Sequence, residues 1–421
     1  MSPKSGNPEF TVIGSGIIGI SSALALQKEG FRVTVVDREK PGQSCSFGNA
    51  GAISPSSALP NSLPGMMFKV PGWLFREDGP LFIQWQYFPK LIPWLIRFLN
   101  SANWDKVDET TSSLLALHAS CFRLYQDLVK EIRAEDLIVE SPVIHLYKKE
   151  EDFKSALSIW KILKDKGIEF EELDEPLVRE NEPNLSSDYQ FGVLFRNSGF
   201  SSNPFRLVEK MSERFLSDGG EFIHESVQNI KPGEQENITL KLENREIQSE
   251  RVLVAAGAWS HQLASQLGIK IPLETERGYH VTLNSKEGGP QNIVMEAAHK
   301  FMATPMEMGV RFAGTAEFAG LKTPANQTRA EILLKLGKKM YPQLEDGETS
   351  DWMGHRPSIP DSRPVIDFCP NNKKIIFAFG HGHRGLIGAP MTAKLVSEMA
   401  TGKKQTMDKS AFGALRFNDL L

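Results

Sequence analysis

Three groups of residues in this 421-residue chain have types and spacings suited to chemistry. The first is FAFGHGHRGLIGAP, residues 377–390, where glycines interleave with His381 and His383. The second is GSGIIG, in which Gly14, Gly16 and Gly19 fall at GxGxxG spacing, with Asp37 further on. The third is GHRP, where His355 precedes Arg356. The paired histidines raise the question of a metal. Two histidines one residue apart on a strand point to opposite sides, and no carboxylate or cysteine nearby completes a ligand set, so no metal is expected. No serine or cysteine stands in a persuasive arrangement with histidine for nucleophilic catalysis. Arg356 is a planar donor fork that keeps its charge in a pocket and suits a bidentate carboxylate; an ordinary surface ion pair is the other reading of it.

The elements that must position these residues are partly visible. FTVIGSGIIGISSALALQKEGFRVTVVDREK, residues 10–40, reads as a strand, a glycine turn, a helix, a second strand and an acid. Gly14 permits a tight turn, Gly16 leaves room for a pyrophosphate and Gly19 lets helix and strand pack closely. Unpaired amides at the helix start favour the phosphate charge. Asp37 suits ribose hydroxyls and disfavours a 2′-phosphate, which leaves FAD or NAD. PGQSCSFGNAGAISPS, residues 41–56, follows the acid directly and separates the two. A loop of small residues offers amides to a flat polar ring, with Ser46, Asn49, Ala50 and Gly51 as approach points. A second dinucleotide-type element is ERVLVAAGAWSHQLASQLG, residues 250–268, where Ala256 and Gly257 are small enough for close approach. Residues 112–135 predict one long amphipathic helix, 143–174 a strand, helix and strand, and 204–217 a further helix. Residues 271–320 predict a mixed or antiparallel sheet, and 329–344 a helix.

Composition bounds the function. The apolar fraction of 40%, the charged fraction of 24% and the net charge of −4 are those of an ordinary globular protein without a basic nucleic-acid surface. Cys45, Cys121 and Cys369 form no CxxC, which predicts a reducing compartment. MSPKSGNPEF lacks the apolar core of a leader, and a cytoplasmic location is expected. PLFIQWQYFPKLIPWLIRFL, residues 80–99, is too broken for a spanning helix. It reads either as a buried or groove-lining element or as a patch resting peripherally on a membrane surface, at its inner face.

Together these motifs carry a likeness. GSGIIG with Asp37, SCSFGNAGAISPS, ERGYHVTL, MGHRPSIPDSRPVI and FGHGHRGLIGAP occur in the order found in the D-amino acid oxidase superfamily of FAD-dependent oxidoreductases. The chain most resembles the D-amino acid dehydrogenase small-subunit type. The resemblance implies an α/β fold, with a Rossmann-like FAD-binding domain interleaved with a substrate domain on a mixed, largely antiparallel sheet. The FAD-binding domain is expected at 8–60, 200–270 and 352–421, and the substrate domain at 61–199 and 271–351. Implied FAD contacts are Gly14, Gly16, Ile17, Ile18, Gly19, Asp37 and Arg38 at the first turn, and Ser44, Ser46, Asn49, Ala50 and Gly51 in the loop. Val227, Ala256, Gly257 and Trp259 are implied in the middle of the chain, and Gly380, Gly382, Gly385, Leu386 and Ile387 near its end. Arg356 takes the position of the family's carboxylate clamp. His383, Tyr279 and His355 are further candidates at the substrate, with packing as the other reading of Tyr279 and His355; the role of Arg363 is ambiguous. The implied reaction is oxidation of a small neutral D-amino acid, or of a proline or hydroxyproline type, by hydride transfer from the alpha carbon to flavin N5. Electrons then pass to a quinone or another respiratory acceptor. An oxygen-using glycine, sarcosine or D-amino acid oxidase is the alternative within the superfamily; a non-catalytic flavoprotein module is the alternative outside it.

Overall fold

Phe10, Val12, Val35 and Val36 have no exposed surface, because the strands that carry them are covered on both faces. In the computed structural model, which describes residues 8–233 and 237–420, these runs form a parallel sheet. Residues 1–7, on which the absence of a leader was expected, lie outside the described residues, as do 234–236 and 421. Strand Glu9–Ile13 sits between Arg32–Asp37 and Arg251–Val254, with Ile13 opposite both Val36 and Val254. Glu221–His224 extends the sheet on one side and Asn372–Phe379 on the other, all parallel. Val365–Cys369 closes the far edge antiparallel. Helix Ile17–Lys28 packs on helix Gly385–Thr401, which is apolar nearly all round and buried accordingly.

The chain divides into two compact units: residues 1–47, 205–274 and 357–421, and residues 48–204 and 275–356. The first holds the parallel, Rossmann-like sheet. Residues 48–60, 200–204 and 352–356, expected with it, fall in the second unit, whereas 271–274 fall in the first. Hydrogen bonding explains the largest shift: Ala52–Ile53 pairs with Gly199–Ser201, which pairs with Ile138–Glu140.

The second unit is built on a mixed sheet. Strand Gly309–Phe318 lies between Glu274–Leu283 and Phe301–Met306 and runs antiparallel to both. The sheet continues through Ile293–Glu296, Val143–Tyr147, Phe191–Phe195 and Glu171–Leu173; Ile293–Glu296 pairs parallel with Val143–Tyr147, and Leu81–Ile83 pairs parallel with Gly309–Phe318. The helix expected over 112–135 is two helices, Trp104–His118 and Cys121–Ile132. Ser120, at φ −97° and ψ 8°, leaves the helical path between them.

Candidate functional site

The first unit gathers glycines at the carboxyl ends of its parallel strands, where open α/β sheets bind ligands. Gly14 follows strand Glu9–Ile13 with φ +108°, and a β-carbon there would lie 2.4 Å from the Ala255 carbonyl oxygen. A β-carbon on Gly19 would stand 1.8 Å from the Gly14 carbonyl oxygen, so helix and turn touch backbone to backbone. Gly16 differs: its nearest neighbour would be Ser46 Oγ at 3.6 Å. That side of the turn is open. Gly16 is also the N-cap of the first helix and offers no side chain to the first-turn amides. Ile17 N donates to Ser46 Oγ at 3.0 Å. Asp37 ends its strand with Oδ2 accepting from Ser15 N at 2.6 Å and Ser15 Oγ at 2.8 Å, and Oδ1 from Glu39 N at 3.1 Å. A carboxylate has about four acceptor positions, so a further hydroxyl can be taken. The Arg38 guanidinium lies 4.0 Å over the Trp259 ring. These residues fit a dinucleotide: an open glycine, a helix start whose N-cap residue has no side chain, and a fixed acid.

The other candidates in this unit vary in surroundings. Ile18 is half-buried within the helix, Val227 is half-buried between strands Glu221–His224 and Asn229–Pro232, and Ser44 is exposed. Gly257 has φ +53° and opens the short turn that leads to Trp259. Gly380 takes φ +87° after strand Asn372–Phe379, and Gly382 φ +57°. Gly385 opens the last long helix, and a β-carbon there would lie 3.9 Å from Ile17, so the start of this helix is beside that of the first. Leu386 and Ile387 are buried in its first turn.

The two histidines are not on a strand. The strand ends at Phe379, and His381 has helical φ −71° and ψ −1°. The expected alternation therefore does not apply. His381 turns inward, with Nε2 3.0 Å from Thr392 Oγ1, and burial drives its pKa down to about 3. His383 is exposed in the turn Gly382–Arg384. Arg363 pairs with Asp361 at 3.1 Å, and Arg416 joins the same carboxylate at 2.8 Å. Among the described residues no three side chains are grouped to hold a metal.

In the second unit, the loop Gly48 to Gly51 is gripped by residues that sequence reasoning missed. Arg311 Nη1 donates to the Asn49 carbonyl at 2.8 Å and Thr304 Oγ1 to the Ala50 carbonyl at 2.8 Å. His280 Nδ1 lies 3.2 Å from the Gly48 carbonyl, and its ring stacks on Trp352. A β-carbon on Gly48 would strike the Trp352 ring at 1.9 Å. Asn49 Oδ1 accepts from Gly51 N at 2.8 Å, which closes the turn. Burial pulls the Arg311 guanidinium down to about 10 and His280 to about 3. The signal for Arg311 was a lone arginine inside the apolar strand GVRFAG.

Arg356 is fixed from several sides. Strands Glu274–Leu283 and Gly309–Phe318 slip register between Arg277 and Tyr279, and Thr315 takes φ +53°. Such a bulge re-aims backbone groups. Arg356 Nη1 donates to the Thr315 carbonyl at 2.8 Å and Nη2 to the Gly314 carbonyl at 3.2 Å. Nη1 also meets Glu276 Oε1 at 3.1 Å. Gly278 leaves space for the guanidinium, since a β-carbon there would come within 2.2 Å of it. The Thr315 hydroxyl is buried with no hydrogen-bond partner. His355 Nδ1 lies 2.9 Å from Thr275 Oγ1. Tyr279 sits in the apolar core; its hydroxyl donates to Glu317 and accepts from Asn326 N at 3.0 Å. Burial raises it to about 12.

Comparison with known proteins agrees with this geometry. The DAO family, FAD dependent oxidoreductase, matches residues 9–399. A D-amino-acid oxidase of Bradyrhizobium diazoefficiens is 36% identical over 96% of this chain and 98% of its own. A D-amino acid dehydrogenase of Dechloromonas aromatica is 28% identical over 93% of this chain and 97% of its own. The crystal structure of glycine oxidase from Geobacillus kaustophilus shares the fold with a TM-score of 0.76 at 19% identity, covering 98% of this chain and 99% of that one. The chain is an enzyme that uses FAD and belongs to the DAO family of FAD-dependent oxidoreductases.

Proposed function

We propose that the protein oxidises a small D-amino acid, neutral or of the proline and hydroxyproline type, to its imine. The observation that carries this is the Arg356 cluster: a guanidinium held at a backbone bulge, with Glu276 beside it and an unpartnered hydroxyl on Thr315. Buried polar groups without partners call for an explanation, and a ligand supplies one. Arg356 takes the substrate carboxylate as a fork. Glu276 supplies the opposite charge that the ammonium of a zwitterion needs, and Thr315 donates to the carboxylate. The first unit, 1–47, 205–274 and 357–421, binds the cofactor and the second binds the substrate. Gly14, Gly16, Gly19 and Asp37 hold the dinucleotide, and the start of helix Gly385–Thr401 offers amides to the ring. When bound, FAD would supply the two-electron acceptor, taking the alpha hydrogen as a hydride. The amine loses its proton first, and the C–H bond then breaks as the C=N bond forms. Water hydrolyses an acyclic imine to a 2-oxo acid and ammonia; a proline-type substrate leaves as a cyclic imine. His355 and Tyr279 act as packing.

The electrons go on to a quinone or another respiratory acceptor. The relative named a D-amino-acid oxidase, at 36% identity, favours oxygen as a second reading. Anaerobic mixing with D-alanine, D-proline and their L-enantiomers should bleach the flavin with the D forms only. Reoxidation should be faster with a soluble quinone than with air. Bleaching by L forms alone would overturn the substrate; fast reoxidation by air with no gain from quinone would select the oxidase.

A further inference from the structure

The exposed apolar surface of the second unit is concentrated in one stretch. Of the twelve large hydrophobic side chains exposed among the described residues, eight fall between Met67 and Trp104. Phe68 and Phe75 are 83% and 85% exposed, and Trp85 is 66% exposed. Two helices carry most of them. Met66–Leu74 and Phe88–Asn100 both rest on a cluster around strand Leu81–Ile83, into which they send Leu74, Leu91 and Trp94. Trp94 stacks on Phe98 and tilts against Phe318. The inward face of Phe88–Asn100 is thus satisfied, yet Ile92, Ile96 and Leu99 form a second apolar stripe that faces outward. Apolar patches this concentrated mark a contact.

Charge says what the contact is. Helix Phe88–Asn100 carries Lys90 and Arg97 and no acid, and Met66–Leu74 carries no acid either. The chain as a whole has net charge −4, whereas residues 66–104 carry Lys69, Arg76, Lys90 and Arg97 against only Glu77 and Asp78, so this stretch departs from the whole in sign. A two-fold contact with a second copy would set Lys90 and Arg97 against their own counterparts with no acid from either helix between them. An anionic surface has no such conflict. Neither helix is a span: at about 1.5 Å per residue, Phe88–Asn100 covers roughly 20 Å of a hydrocarbon core about 30 Å thick. Pro93 inside it removes a backbone donor, which is tolerable where water reaches the backbone.

We infer that residues 66–104 form a peripheral docking surface for an anionic lipid bilayer, with Phe68, Phe75, Trp85 and Ile96 entering the headgroup boundary and Lys90 and Arg97 facing lipid phosphates. This deepens the respiratory-acceptor reading but is tested apart from it. The FAD-loaded enzyme is sedimented with vesicles of phosphatidylcholine alone and of phosphatidylcholine with phosphatidylglycerol. Recovery should be at least about ten-fold higher with the anionic vesicles and should fall with added salt. Phe68→Ser with Phe75→Ser, and separately Lys90→Glu with Arg97→Glu, should each abolish it while flavin content and reduction by amino acid in vesicle-free buffer stay unchanged. Equal recovery with both vesicle types, or none with either, overturns the inference. So does a dimer in vesicle-free buffer that the same substitutions dissociate, since a second copy then covers the face. Failure to bleach with any amino acid strikes the proposed reaction and leaves vesicle binding standing.

Discussion

Arg356 is held by two backbone carbonyls as well as by Glu276, so its substitution removes a charge whose place the fold has already fixed. Arg356→Ala should lower kcat/KM for a D-amino acid by roughly 30-fold to several thousand-fold, from about 2–5 kcal/mol for truncating one partner of a charged pair. FAD absorbance should persist, because the glycine turn and Asp37 lie in the other unit. Normal kcat/KM would place the carboxylate clamp elsewhere. Glu276 can be separated from Arg356 by its sign. With Glu276→Gln, a simple carboxylate inhibitor should bind several-fold tighter, because a competing anion is gone. The amino acid should bind more weakly, because its ammonium has lost a partner. If both ligands move the same way, Glu276 serves Arg356 alone.

Glycine positions in the first turn separate folding from binding. Gly16→Ala meets only Ser46 Oγ at 3.6 Å, whereas Gly19→Ala drives a methyl into the Gly14 carbonyl at 1.8 Å. The first variant should stay folded by circular dichroism while releasing FAD more readily. The second should lose thermal stability and flavin together, and equal stability of the two would reject this division of roles. These glycines were legible because their spacing is itself the constraint: each of the three meets a distinct steric demand. The parallel strands were legible too, since burial on both faces writes an unbroken apolar run such as Val252 to Ala255. The break near Ser120 was not, because LALHASCFRL keeps its apolar period across the junction. Nor was the fate of His381 and His383: their positions depend on where the strand stops, and it stops at Phe379, before Gly380 at φ +87°, short of both histidines that the alternation argument placed on it. The grip on the Gly48 to Gly51 loop was hidden for another reason. Arg311, Thr304 and His280 bind its carbonyls from more than 200 residues away, and one sequence carries no trace of such pairing.

At the scale of the whole molecule, burial keeps His145, His280 and His381 neutral. Each stands at about 3 against an ordinary 6.5. Above pH 6.5 both folded and unfolded chains hold them neutral, so their contribution is constant. Below it the unfolded chain takes up protons that the folded chain refuses, and stability falls until about pH 3. Each site adds a slope of at most about 1.4 kcal/mol per pH unit. Thermal melting should therefore weaken steadily from pH 7 to pH 4.5, and His381→Asn should flatten that fall; an unaltered slope would mean that its ring is solvated. The discontinuous first unit has a consequence during synthesis. Strand Glu9–Ile13 leaves the ribosome early, but one flank waits for Arg251–Val254, which in turn waits for Asn372–Phe379. At about 5–20 residues per second, that second wait is roughly ten seconds. In the interval an apolar strand edge stands open, and the turn at Gly14 has no last helix beside it. Nascent chains thus need protection before they need flavin. A chain stopped after residue 356 should emerge colourless, and should fail to retain FAD on gel filtration even when the cofactor is supplied in excess.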